Sequence, residues 1–195
     1  MRAGMMPFML LQRIQQHFID SADLSYQAAQ TLGPAVEAAT SAVLAAVTNG
    51  GKVLAWGMGP AAGLTQALAA AFVDQFERER PELAALALRG DHALERQVRA
   101  MGLPGDVLLL VTLPGDGPDI LPAVQAAHER EMTVVAVTAA QAGSLGPVLK
   151  DTDVWVAVPS ERLPRVLEAQ QLVLHCICDG VDVQLLGDDP QEGNV

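Results

Sequence analysis

The sequence predicts an α/β fold, a doubly wound parallel sheet of five strands flanked by helices, with a helical pair ahead of it. Three observations predict it. Five short runs are almost continuously apolar, the pattern of strands buried on both faces. Helix-length stretches alternate with those runs, as parallel connections require. The apolar residues, 50% of the chain, are mostly Ala, Val and Leu, with aromatics at only 4%, and such side chains let helices approach a sheet closely. Right-handed crossovers make the sheet doubly wound, and ligands on such sheets bind outside the carboxyl ends of the strands, where the strand order reverses.

Each element has its own signal. Residues 7–31 read as a helix because Phe8, Leu11, Ile14 and Phe18 recur at three- and four-residue steps, building one apolar stripe. Pro34 opens a second helix, Gly50 and Gly51 end it, and Val36, Val43, Leu44 and Val47 form its apolar face. The first strand is 52–56, followed by a tight turn at 57–60 and an Ala-rich helix running toward Arg80, where Pro81 stops it. Residues 83–88 form the second strand, and Asp91 caps a short helix to Met101. Pro104 and Gly105 turn the chain into the third and clearest strand, 106–113. A turn at 115–118 leads to a helix ending near Arg130, then to a strand at 132–138, a loop at 143–147 and a last strand at 153–158. A long helix fills 163–186. The organisation expected is a helical pair for oligomerisation (1–50), one α/β domain (51–187) and an acidic tail (188–195), with no internal repeat and no linker.

Bulk properties exclude several functions. A chain of 195 residues fits one domain and buries enough surface to need no disulfide or metal for its core. Its net charge of −11, with no Lys/Arg run, repels a phosphate backbone and argues against direct nucleic-acid binding. No apolar stretch reaches the length of a membrane span, and the opening residues read as a helix rather than a signal peptide. Cys176 and Cys178 lie two apart on a helix, so they face nearly opposite ways and share neither metal nor disulfide. They read as small buried hydrophobes in a reducing, cytoplasmic setting.

The chemistry should sit in two turns, 57–60 and 112–118. Gly57 and Gly59 follow a strand and precede a helix, a place where backbone N–H groups can cradle an anion. A dinucleotide fingerprint is absent, because Gly63 is four residues on rather than three and no acidic residue ends the second strand. A Walker loop is absent too. The default reading is a tight strand–helix turn.

Several runs carry a resemblance. GKVLAWGMG at 51–59 is similar to the first strand and loop of the sugar-isomerase (SIS) family, G-K-V-L-x-x-G-N-G-x-S. FERERP at 76–81, GDVLLLVT at 105–112 and RVLE at 165–168 resemble the end of that family's helix, the strand before its S-T-x-G-N-S phosphate loop and the start of its final helix. The nearest subgroup holds the phosphoheptose isomerases and the non-catalytic DiaA proteins, which associate with the replication initiator DnaA. FERERP, RQVRAMG at 96–102 and Cys176-Ile177-Cys178-Asp179 lean toward the latter.

The resemblance implies a phosphosugar site whose chemistry has thinned. Family Asn and Ser become Met58 and Ala61, and the second loop reads TLPGDG, so that Gly57, Gly59, Thr112 and Gly115 remain as a ligand-binding remnant. Asp116 puts a negative charge where a phosphate would sit, a repulsion of about 4 kcal/mol for unit charges at 4 Å and an effective dielectric of 20. Isomerases of the family move a proton with a carboxylate and a histidine, and some hold a metal with them. The matching positions are Ala67, Ala71 and Leu167, and His175 is the one retained candidate catalytic group. A lone helical His is by default structural, and the charged run 77–80 is by default a solvated helix end. The leading expectation is therefore a non-catalytic, DiaA-like homotetramer without cofactor or metal, binding phosphosugar weakly or not at all. Its docking surface for DnaA would include Leu185 and Leu186, which point about 100° apart and cannot both face one core. The alternatives are a phosphoheptose isomerase-like enzyme and a phosphosugar or nucleotide sensor.

Overall fold

The strands of the sheet run parallel in the order β2-β1-β3-β4-β5, so the order reverses between β1 and β3. The computed structural model describes residues 6–90, 93–114, 120–141 and 143–187. In chain order these form α1 (Met6–Thr31), α2 (Gly33–Thr48), β1 (Val53–Gly57), α3 (Ala62–Val73), β2 (Ala85–Ala87), α4 (Leu94–Met101), β3 (Val107–Val111), α5 (Ile120–Glu129), β4 (Thr133–Thr138), β5 (Val154–Ala157) and α6 (Leu163–Leu186). The predicted α/β class and five-stranded parallel sheet are therefore the observed ones. The acidic tail, Asp91 and the turn at 115–118 lie outside the described residues.

Alternation along each strand divides the core into two layers. Val53, Ala55, Val107, Leu109, Val135 and Val137 pack toward α1, α2, α3 and α6. Leu54, Trp56, Leu108, Leu110, Val134 and Ala136 pack toward α4 and α5. Both layers are dry, which is why these strands read as unbroken apolar runs. No single helix among the described residues is long and apolar enough to cross a membrane.

Two expectations need correction. The Ala-rich helix stops at Val73, not near Arg80, because Arg80 folds back and its guanidinium donates to the carbonyls of Ala71 and Phe72, capping the last turn. The run 77–80 is not wholly solvated either. The Arg80 side chain is 1% exposed, with Nε 2.5 Å from Asp182 Oδ1 on α6, while Arg78 donates to the Gly187 carbonyl.

The N-terminal helix is covered along only part of its length. Leu24 and Ala28 of α1, with Leu32 at its end, join the core, but Leu11, Ile14 and Phe18 are exposed, Phe18 at 74%. A polar set ties this helix to α6: Arg162 pairs with Asp20, Arg165 donates to the His17 carbonyl, and Ser21 donates to Glu168.

Candidate active site

The first turn is shaped by what a side chain would strike. A Cβ on Gly57 would lie 2.3 Å from the Ala61 carbonyl oxygen and 2.8 Å from Ala62 N, so only glycine lets the chain fold back onto α3 this tightly. Gly59 follows at φ +49, again a glycine conformation. Met58 N donates to the Val111 carbonyl and binds the turn to β3 across the switch point. Ala61 is fully buried and offers no donor. Gly57 and Gly59 border a cleft of about 310 Å³ at the carboxyl ends of β1 and β2, shared with Trp56, Gln66, Leu88 and Arg89.

The second turn begins with Thr112, which is 1% exposed. Its carbonyl accepts from Gln170 Nε2 at 2.7 Å, and the same amide reaches the Val137 carbonyl at 3.3 Å. Gln170 thus joins α6 to the ends of β3 and β4, while its Oε1 has no partner among the described residues. Gly115 and Asp116 lie outside the described residues.

The catalytic positions implied by the resemblance meet elsewhere, between α3 and α6. Ala67, Ala71 and His175 line one cavity of about 160 Å³, together with Leu64, Leu68, Phe76, Gln171, Leu174 and Cys178. His175 sits exposed at its rim, its ring 5.4 Å from that of Phe76 and tilted by 43°. Leu167 is not among the lining residues; it is partly buried against the core, eight positions, or about 12 Å, earlier along α6. The structure therefore brings Ala67, Ala71 and His175 together and keeps Leu167, Gly57, Gly59 and Thr112 apart from them.

This donor set does not fit a metal. Around His175 the matching positions carry methyl or isobutyl groups, and among the described residues no three of His, Cys, Asp and Glu cluster. The thiols add nothing: burial and then the nearby Asp182 carboxylate push Cys178 up to about 12, and Cys176, exposed rather than buried as expected, is raised too, by partial desolvation and then by Asp179. A thiol held protonated is neither ligand nor nucleophile. Leu185 and Leu186 are 37% and 40% exposed at the end of α6, on the same helix as His175 and past the cavity it lines.

Sequence reasoning missed Gln170, Phe76 and Arg89. Gln170 was findable as the one polar residue among Val166, Ala169, Val173, Leu174 and Ile177, all on the buried side of α6. Phe76 and Arg89 carry no periodic signal.

A parallel α/β sheet of order 2-1-3-4-5, with its glycine turn at the switch point and α6 laid across one face, is a doubly wound ligand-binding fold. The chain belongs to the SIS domain family, whose description matches residues 16–139. It is 49% identical over 194 aligned positions to the phosphoheptose isomerase of Methylibium petroleiphilum, covering 92% of this chain and 97% of that one. Among solved structures, phosphoheptose isomerases from Francisella tularensis and Neisseria gonorrhoeae each superpose with a TM-score of 0.82 at 35% identity. They cover 88% and 89% of this chain, and it covers 97% and 98% of theirs.

These relatives overturn the expectation of a non-catalytic, DiaA-like regulator of replication initiation, and with it the leaning against an enzyme. That expectation weighed the loss of hydroxyls and carboxylates at single positions. The likeness to phosphoheptose isomerases instead runs through nearly the whole length of both chains.

Proposed function

We propose that the chain is an enzyme of the phosphoheptose isomerase type, acting on a phosphorylated sugar with His175 as its proton-transferring group. The observation that carries this reading is the convergence of His175 with Ala67 and Ala71 on one cavity between α3 and α6. Isomerisation moves a proton between adjacent carbons, and needs a base to take it and an acid to return it. With alanines at the two neighbouring positions, one imidazole serves both carbon steps: it takes the proton, becomes imidazolium and gives the proton back at the next carbon, while the hydroxyl proton passes between the two oxygens of the enediolate formed in between. The alanines enlarge the cavity and leave the sugar to be held by shape and by Gln171.

A homo-oligomer, in the tetrameric form first expected, belongs to this proposal, because the exposed Leu11, Ile14 and Phe18 stripe asks for a covering surface. A cytoplasmic setting belongs to it as well. A second reading, a phosphosugar sensor, is favoured by one observation: among the described residues no carboxylate lines the cavity beside His175.

Turnover of sedoheptulose 7-phosphate decides between them. The enzyme reading expects turnover that falls at least 100-fold in His175→Ala. Binding without turnover leaves the sensor. Absence of both binding and turnover removes both readings.

A further inference from the structure

We propose that the cleft at the carboxyl ends of β1 and β2 is an anion subsite in which Arg89 binds the phosphate of a phosphorylated sugar. The proposal rests on the phosphosugar reading and says where the phosphate goes. That needs an answer, because the second loop, TLPGDG at 112–117, offers a single hydroxyl and adds a carboxylate.

Charge selects the place. The chain carries −11 overall, so most of its surface repels a phosphate. The 310 Å³ cleft has Arg89 in its wall and, among the described residues, no Asp or Glu in its lining. The other four substantial clefts among the described residues hold no Lys or Arg. Five other cations are held by carboxylates: Lys52 by Asp106, Arg80 by Asp182, Arg99 by Glu95 and Glu129, Arg162 by Asp20 and Arg165 by Glu168.

Position supports the same assignment. The cleft opens beyond the carboxyl ends of β1 and β2, the edge on which doubly wound sheets bind ligands, one strand from the switch point between β1 and β3. The backbone that presents Arg89 is clamped on both sides by Gln97 of α4. Arg89 N donates to Gln97 Oε1 at 3.3 Å, and Gln97 Nε2 donates to the Arg89 carbonyl at 2.7 Å. A guanidinium carried on a fixed backbone loses less freedom when it grips an anion, and its fork matches two phosphate oxygens at once. Gln66 adds a second polar side chain to the cleft, and Trp56 with Leu88 supplies an apolar floor.

The test is calorimetric titration of the full chain and of Arg89→Gln and Arg89→Lys with sedoheptulose 7-phosphate, inorganic phosphate and unphosphorylated sedoheptulose. The Arg89 side chain is exposed, so neither variant should shift the melting temperature. The subsite expects Arg89→Gln to weaken both phosphorylated ligands about 10- to 100-fold, Arg89→Lys to recover part of the loss, and the unphosphorylated sugar to be unaffected. Unchanged phosphosugar binding by Arg89→Gln overturns the subsite and leaves the phosphosugar reading intact. Phosphate binding that depends on Arg89, with no turnover of the heptose phosphate, supports the subsite and removes the isomerase. Absence of all phosphate and phosphosugar binding by the unaltered chain overturns both.

Discussion

Replacing Asp182 by Ala should cost the fold more than replacing Asp182 and Arg80 together. The two side chains are 2% and 1% exposed, and Arg80 Nε lies 2.5 Å from Asp182 Oδ1. The guanidinium also donates to the carbonyls of Ala71, Phe72 and Pro81 and lies 5.8 Å from the centre of the Phe72 ring. Removing the carboxylate leaves those contacts but strands a cation in a dry interface, at a cost of about 3–5 kcal/mol. An unfolding entropy of about 2.1 cal/mol/K per residue, over 195 residues, gives about 0.4 kcal/mol/K. The melting temperature should then fall by about 7–12 °C. The double variant Arg80→Met, Asp182→Leu removes both charges and refills the space, so it should lose well under the sum of the two single losses. Thermal melts of Asp182→Ala, of the singles Arg80→Met and Asp182→Leu and of the double variant measure this. A shift under about 3 °C for Asp182→Ala, or additive losses in the double variant, would refute the account of a buried, mutually dependent pair.

Two further outcomes follow from packing and burial. Phe18→Asp, on the exposed stripe of α1, should lower the mass seen by light scattering after size exclusion while leaving the circular dichroism of the fold intact; a monomeric unaltered chain would refute the oligomer. The Cys178 thiol is raised from 9.0 to about 12 by burial, so the folded state holds its proton more tightly than the unfolded state does. Its contribution to stability is complete below pH 9 and is lost as pH rises from 9 toward 12, and in Cys178→Ala that part of the pH dependence, followed by denaturant melts, should disappear.

The sheet was legible because every central strand is buried on both faces, so Val53, Leu54, Val107, Leu108, Val134 and Val135 form unbroken apolar runs that no loop would tolerate. The long final helix was legible to the residue, bounded by Pro164 near its start and Gly187 after its end. The glycine turn at 57–59 follows from the strand–helix alternation, and the structure adds the reason at Gly57, the 2.3 Å approach of the Ala61 carbonyl. Other features depend on distant parts of the chain. The end of α3 is set by Arg80 folding back on it, with Asp182, 102 residues away, as its counterion. A propensity-based reading saw only an alanine run continuing to the next proline.

The site divides along the same line. Sequence alone determined which groups are present: Ala67, Ala71 and Leu167 where charged or amide groups were expected, His175 retained, one hydroxyl in the second loop and a net charge of −11. Only the tertiary structure decided which of them meet. It set His175 beside Ala67 and Ala71, withdrew Leu167 into the wall of the core, and carried Arg89 from the end of an edge strand into the cleft bordered by Gly57 and Gly59. The physical reason is that residue types are fixed one by one along the chain, whereas a cavity is made by helices and strands from separate segments, and the burial of their apolar faces sets where they cross.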